Sequence, residues 1–330
     1  MTMPCGMARR IPTHHSQAMT EPTLHHVQCP DAADGHRMAF WHWGDANAPH
    51  LIVCAHGLSR QGRDFDVLAH ALLGRADAQG AQIRVVCPDV VGRGESDWLK
   101  DPMGYQFPTY VGDMLAMLGE LHARAPVATL DWVGTSMGGL IGMIMAGTAQ
   151  LPLPVPMRRL VLNDVGPVVE WSALERIGQY LGKAGTFASA EEAAAAMRLI
   201  STAFGPHTDE QWMALSRPMV RALPEAGVRL HYDPAVAVPY ATVTRESAAQ
   251  GEAALWQIYD QVQAQTLLLR GADSDLLSTS TALAMGARGP RPRLVEFAGV
   301  GHAPTLVSGD QVRVVLDFLL PAPAVEGRTG

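Results

Sequence analysis

From about residue 36 onward, short apolar runs alternate with longer segments in which apolar residues recur every three or four positions. Blocks such as Leu51-Ile52-Val53-Cys54 and Leu160-Val161-Leu162 are apolar throughout. That is the pattern of strands covered on both faces rather than on one. The runs predict strands over 36–43, 50–55, 83–88, 129–133, 159–163, 266–270 and 293–297, with 25–28 as an additional edge strand. Helical spacing predicts helices over 64–73, 110–121, 137–148 and 311–320, the last stopping before Pro321. Strands and helices in this alternation imply an α/β fold with a mostly parallel sheet.

One stretch interrupts the rhythm. Between about Val165 and Gln257 the composition turns rich in Ala, Glu and Met, and no convincing strand stands out. Segments 171–181, 191–199 and 209–215 read as helices with Pro and Gly punctuation between them. The expected organisation is therefore a core of 23–165 and 258–321, interrupted by a helical cap over 166–257. A leader (1–22) and a tail (322–330) are expected to be disordered.

Four places carry candidate chemistry. Gly134-Thr135-Ser136-Met137-Gly138, followed by Gly139, joins a predicted strand directly to a predicted helix. A serine on such a sharp turn needs small neighbours for close packing, and the turn exposes its hydroxyl. The Met137 amide then lies at a helix start, where it can meet developing negative charge. By itself the three-position pattern is weak, because a glycine-rich turn with a capping serine also fits it. His56-Gly57-Leu58 ends an earlier strand, and its turn can aim the Leu58 amide at the same place. The His56 imidazole reads as a loop-orienting group. His302, in Gly301-His302-Ala303-Pro304, follows the last strand and is the best-placed base among 13 histidines. The acid is ambiguous: Gly271-Ala272-Asp273-Ser274-Asp275 offers two carboxylates, either able to accept a ring N–H or to cap its own loop.

In this order (Ser136, then Asp275 or Asp273, then His302) the chain resembles the α/β-hydrolase superfamily over about residues 36–320. The resemblance implies an eight-stranded sheet flanked by helices, with a helical cap inserted after the sixth strand. It implies Ser136 as nucleophile, His302 as general base, and the Leu58 and Met137 amides as oxyanion donors. Many members place the acid three residues after the glycine, where this chain has Ser274. Asp275, one position later, is the preferred acid, with Asp273 second. Asp164 is the third option, because some members take the acid from the end of the earlier strand. The segment Asp89-Val90-Val91-Gly92-Arg93-Gly94 also resembles the family, with Asp89 and Arg93 expected to hold their loop.

The remaining features narrow the class. Of 330 residues, 48% are hydrophobic and 17% charged, which excludes a disordered protein. A net charge of −7 argues against a nucleic-acid binder. No apolar stretch is long enough for membrane insertion. Cys5, Cys29, Cys54 and Cys87 form neither a disulfide framework nor a metal-binding spacing, and a cytoplasmic location is expected. His14-His15 and His25-His26 lack companion ligands, so no metal and no organic cofactor is expected. Trp171, Tyr180, Phe187, Phe204, Trp212 and Met213 are candidate linings for a small-molecule acyl substrate, and His207, His231 and Tyr232 are possible polar contacts. The expected activity is carboxylic ester hydrolysis through an acyl-enzyme. Alternatives are hydrolysis of a carbon–carbon bond in a dienoate, or a binding protein on the same fold; oligomeric state is left open.

Overall fold

Eight strands form one sheet in a computed structural model that describes residues 21–31, 34–183 and 185–322. In chain order the elements are β1 (Thr23–Cys29), β2 (His36–Gly44), β3 (His50–Ala55), α1 (Asp66–Gln79), β4 (Ile83–Asp89), α2 (Phe107–Arg124), β5 (Thr129–Thr135), α3 (Met137–Gly147) and β6 (Met157–Asn163). The inserted segment follows with α4 (Trp171–Tyr180), β7 (Thr186–Phe187), α5 (Ala190–Ile200), α6 (Asp209–Ser216), β8 (Val220–Ala222), β9 (Val228–Leu230), α7 (Ala237–Tyr240) and α8 (Arg245–Asp260). The chain then returns through β10 (Gln265–Gly271), α9 (Thr279–Ala287), β11 (Arg293–Phe297) and α10 (Gly309–Leu319). Sheet order is β1-β2-β4-β3-β5-β6-β10-β11; β2 is antiparallel to both its neighbours, β1 and β4, and every other pair is parallel. The expected leader and tail lie outside the described residues, apart from residues 21, 22 and 322.

The continuous apolar runs are explained by two cores, one on each face. Along β3, Leu51, Val53 and Ala55 join one core while Ile52 and Cys54 join the other. In β6, Leu160 and Leu162 face the first core and Val161 the second. Alternate side chains of a strand leave opposite faces, so a strand buried on both must be apolar at every position. The first core is closed by Met114, Met117 and Leu118 of α2 and by Ile141 and Met143 of α3. Leu68 and Leu72 of α1 and Val312, Val315 and Leu319 of α10 close the second. Each such fully buried side chain contributes about 1.5–3 kcal/mol relative to exposure.

The inserted segment departs from the all-helical expectation. It contains an antiparallel sheet of order β7-β9-β8, whose strands are two or three residues long. Such strands are too short to display a period of two, so their pairing is decided by packing against Ala193, Ala194, Met197, Trp212 and Met219. The expected boundary at 257/258 falls inside a helix. Helix α8 runs through it to Asp260, and Tyr259 is buried in the main core with its hydroxyl donating to the Met285 carbonyl, 3.0 Å. Among the described residues, no helix is long and apolar enough to cross a membrane.

Candidate active site

The candidate side chains gather where the parallel strands end. β3 leads into His56-Gly57-Leu58, β5 into Ser136, β6 into Asp164, and β11 into the loop that carries His302. In open α/β sheets this carboxyl edge is where loops can converge without disturbing the core.

Ser136 sits between β5 and α3 with φ +52° and ψ −118°, a conformation few non-glycine residues adopt. Its neighbours explain how the turn survives. A Cβ on Gly134 would strike the Gly138 backbone, and one on Gly138 would strike the Ala55 carbonyl of β3. Beneath the turn, Trp132 is fully buried and its indole N–H donates to the Gly138 carbonyl, 3.0 Å. A Cβ on Gly142 would collide with that indole ring, so small residues on α3 admit the large one on β5.

The Ser136 hydroxyl lies 2.9 Å from Nε2 of His302, and Nδ1 of the same ring lies 2.7 Å from Oδ2 of Asp164. A carboxylate only accepts, so Nδ1 carries the proton and Nε2 is free to accept from Ser136. The carboxylate on the ring is therefore Asp164 and not the expected Asp275. Asp275 forms a bidentate ion pair with Arg176 of α4 at 2.6 and 2.9 Å, and its side chain is 45% exposed. Asp273 is exposed, and its amide donates to the Val300 carbonyl. Asp164, fully buried, adopts φ +57° immediately after β6. Its amide donates to the Leu269 carbonyl, and its carboxylate accepts from the Gly271 amide (2.9 Å) and the Ser274 hydroxyl (2.6 Å). Ser274, at the position where the family pattern led one to expect a carboxylate, instead donates to the carboxylate that follows β6. The sequence signal that pointed there was an aspartate directly after the sixth strand; the hydroxyl at position 274 could have added to it.

Asn163 ties these loops together. Its carbonyl accepts from the Ser136 amide, while its side-chain amide donates to Thr135 Oγ1 (2.9 Å) and the Pro304 carbonyl (2.8 Å). One fully buried residue thus contacts the nucleophile turn, the histidine loop and, through the chain, Asp164.

Leu58 and Met137 both line the cavity at Ser136, and within the described residues neither amide donates to another backbone group outside the regular elements. The Leu58 loop is held from below. The buried Arg93 guanidinium donates to the Leu58 carbonyl (2.8 Å), the Val91 carbonyl (2.7 Å) and Tyr110 Oη (3.1 Å). Fully buried His56 donates from Nδ1 to the Gly57 carbonyl (2.7 Å) and accepts at Nε2 from the Val90 amide (2.9 Å). Burial pushes its pKa down to about 3, so the ring is a neutral strut. Asp89 accepts from the Gly62 and Glu95 amides and the Trp41 indole, and burial pushes its carboxyl up to about 7. His56, Asp89 and Arg93 therefore all hold loops, as their sequence context suggested.

Two cavities open on Ser136. One, about 730 Å³, is lined by Leu58, Met137, Leu140, Val165, Trp171 and residues of α7 and α8. The other, about 400 Å³, is lined by His302, Tyr180, Phe187, Phe204, Tyr232 and residues of α4 and α5. Residues of the inserted segment line both. Trp212 does not line either: it packs in the insertion's own core, its indole donating to the Ala194 carbonyl at 2.7 Å, with Met213 against that core. His207 bridges the Gly205 carbonyl and Thr305 Oγ1, so it joins the insertion to the His302 loop rather than facing a ligand. His231 is buried, and its carbonyl accepts from the Gly94 amide. Away from this site, Cys29, His36 and Asp113 place three potential metal-ligand atoms close together on β1, β2 and α2. There the His36 ring is already bonded to Asp31 and Asp113, each at 3.0 Å. Cys29, Cys54 and Cys87 are free and buried, and Cys5, His14 and His15 lie outside the described residues.

Comparison with known proteins agrees with this architecture. Residues 52–315 match the alpha/beta hydrolase family. The chain is 47% identical over 304 residues to a 3-hydroxybutyrate-oligomer hydrolase of Cupriavidus necator, a match covering 91% of this chain and 99% of that protein. An alpha/beta hydrolase structure from Novosphingobium aromaticivorans is 31% identical with a TM-score of 0.74, covering 92% of this chain and all of the other. A solved chain from Rickettsia typhi reaches a TM-score of 0.77 at 25% identity, again over 92% of this chain and all of its own. With sheet order, strand-end geometry and sequence in accord, this chain belongs to the alpha/beta hydrolase family.

Proposed function

We propose that the chain is a serine hydrolase that cleaves carboxylic esters through an acyl-enzyme, and that its substrates are short linear 3-hydroxybutyrate oligomers. The observation that carries the chemistry is the His302 ring bridging Asp164 and Ser136, whose side chain lines both cavities. The oligomer as substrate rests on the 47% identical relative.

In this reading Nε2 of His302 takes the Ser136 proton as Oγ attacks the ester carbonyl, and Asp164 stabilises the imidazolium that results. The oxyanion forms beside the Leu58 and Met137 amides, each such donor being worth about 10²–10³ in rate. His302 then protonates the departing alcohol oxygen, and water activated by the same ring releases the acid. The inserted segment acts as a cap: Arg176–Asp275, His207–Thr305 and Ala203 O accepting from Gly301 N (2.6 Å) fasten it over the site. No metal or cofactor enters this chemistry.

A fluorophosphonate probe and a 3-hydroxybutyrate trimer test the proposal together. The protein should be labelled once, at Ser136, and should release 3-hydroxybutyrate from the trimer; Ser136→Ala should abolish both. Failure to label, with the trimer left intact, would overturn the proposal. Consumption of a coloured dienoate in preference to either ester would move the activity to carbon–carbon bonds.

A further inference from the structure

We propose that the smaller cavity, on the His302 side of Ser136, receives the free-carboxylate end of the oligomer, with Lys183 as its counter-ion and Arg176 beside it. This rests on the ester-oligomer reading above.

The direction of the chain follows from where the proton must go. Hydrolysis breaks the bond between acyl carbon and alcohol oxygen. Water's hydroxyl ends on the acyl carbon, and the alcohol oxygen leaves with a proton delivered by His302. The leaving segment must therefore lie on the side of the ring that delivers it. His302 lines the 400 Å³ cavity, while the Met137 side of the elbow lines the 730 Å³ one. In a linear polymer of a hydroxyacid, the segment on the alcohol side of any ester bond is always the one bearing the free carboxylate. The segment on the acyl side ends in a hydroxyl.

The charges of the two cavities match that polarity. The smaller one is lined by Arg60, Arg176 and Lys183 against a single carboxylate, Asp64. Arg60 is neutralised by Asp64 at 2.6 Å, and Arg176 by Asp275. Lys183 has no carboxylate partner among the described residues and stands exposed at the wall. The larger cavity presents Glu170 and Glu252 with Arg245, whose guanidinium reaches toward Glu175 at 3.8 Å. An anionic end is therefore favoured in the small cavity and disfavoured in the large one, which suits the uncharged hydroxyl end. The size difference adds that the carboxyl-side segment is the shorter, so cleavage falls near the carboxyl terminus.

The test compares a 3-hydroxybutyrate trimer as the free acid with the same trimer capped as its N-methylamide. Wild-type protein should prefer the free acid, and that preference should shrink at about 1 M salt, where charges are screened within a few ångströms. Lys183→Gln should lower the ratio of kcat/KM for free acid over capped trimer about three- to fivefold, mainly through KM, the size expected of an exposed ion pair. Lys183→Glu should lower it further, and Lys183→Arg should retain it. A trimer deuterated in its carboxyl-terminal unit should release labelled monomer first. An unchanged ratio in both Lys183→Gln and Lys183→Glu, or labelled dimer as the first product, would overturn this assignment alone. Hydrolysis of p-nitrophenyl butyrate with neither trimer consumed would overturn the oligomer reading and this assignment with it.

Discussion

Replacing Asp164 by asparagine is the substitution that separates the proposed acid from the one suggested by residue order. Both carboxylate oxygens of Asp164 are in use: Oδ1 accepts from the Gly271 amide, and Oδ2 from His302 Nδ1 and Ser274. An asparagine can place only one acceptor. If its oxygen takes the Gly271 amide, its NH₂ faces His302 and forces Nδ1 to become the acceptor. The ring proton then moves to Nε2, and Ser136 loses its base. If the amide is flipped, NH₂ meets the Gly271 N–H in a fully buried site, at a cost of about 1–3 kcal/mol for the unmet donors. The first arrangement is therefore favoured, and a wrong tautomer in such a site lowers kcat by about 10⁴, roughly 5 kcal/mol of barrier. Asp275→Asn breaks an ion pair whose partners are 45% and 40% exposed, worth at most about 1 kcal/mol. Turnover of p-nitrophenyl butyrate, alongside thermal melting to show that both variants fold, gives the comparison. An Asp164→Asn enzyme within tenfold of wild type, beside a crippled Asp275→Asn, would refute the reasoning.

Other consequences can be measured on the same protein. Ser136→Gly should abolish turnover yet stabilise the fold by up to about 1 kcal/mol in urea melts, because glycine accepts the φ of +52° without strain; a less stable variant would count against strain at the elbow. Ser274→Ala removes one of three donors to Asp164, and kcat should fall by about tenfold, the worth of a hydrogen bond to a buried charge. No change in kcat would show that Gly271 and His302 suffice. His56 titrates near pH 3 when folded and near 6.5 when unfolded, so between those values the unfolded chain binds more protons and stability falls as pH falls. At about 1.4 kcal/mol per pH unit this is worth roughly 5 kcal/mol over the window. His56→Gln, whose amide oxygen can still accept from Val90, should show a flatter stability–pH curve there, and an unaltered slope would mean the ring is not held neutral.

The firmness of the site comes from the loops beneath it. Arg93 and His56 set the Leu58 turn, while Asn163 links the serine and histidine loops. Nearly all of these partners are buried, where unmet polar groups are costly, so each loop has few alternatives. The arrangement holds the hydroxyl, the ring and the carboxylate at 2.7–2.9 Å before any substrate arrives.

The linear chain was sufficient for the α/β sheet, for the turn at Ser136 and for His302, because each depends on local patterning. Uninterrupted apolar runs report burial on two faces, and small residues around a serine report a tight strand-to-helix turn. Two things were decided only when distant segments met. The short strands β7, β8 and β9 exist because the insertion's core pairs them, not through any preference of two or three residues. Likewise, Asp273, Asp275 and Asp164 are chemically equal along the chain. Which of them faces the imidazole depends on one positive φ after β6, on Ser274 donating across from β10, and on Arg176 of α4 drawing Asp275 away. A carboxylate's role is set by the partners that surround it in space, and those partners come from segments more than a hundred residues apart.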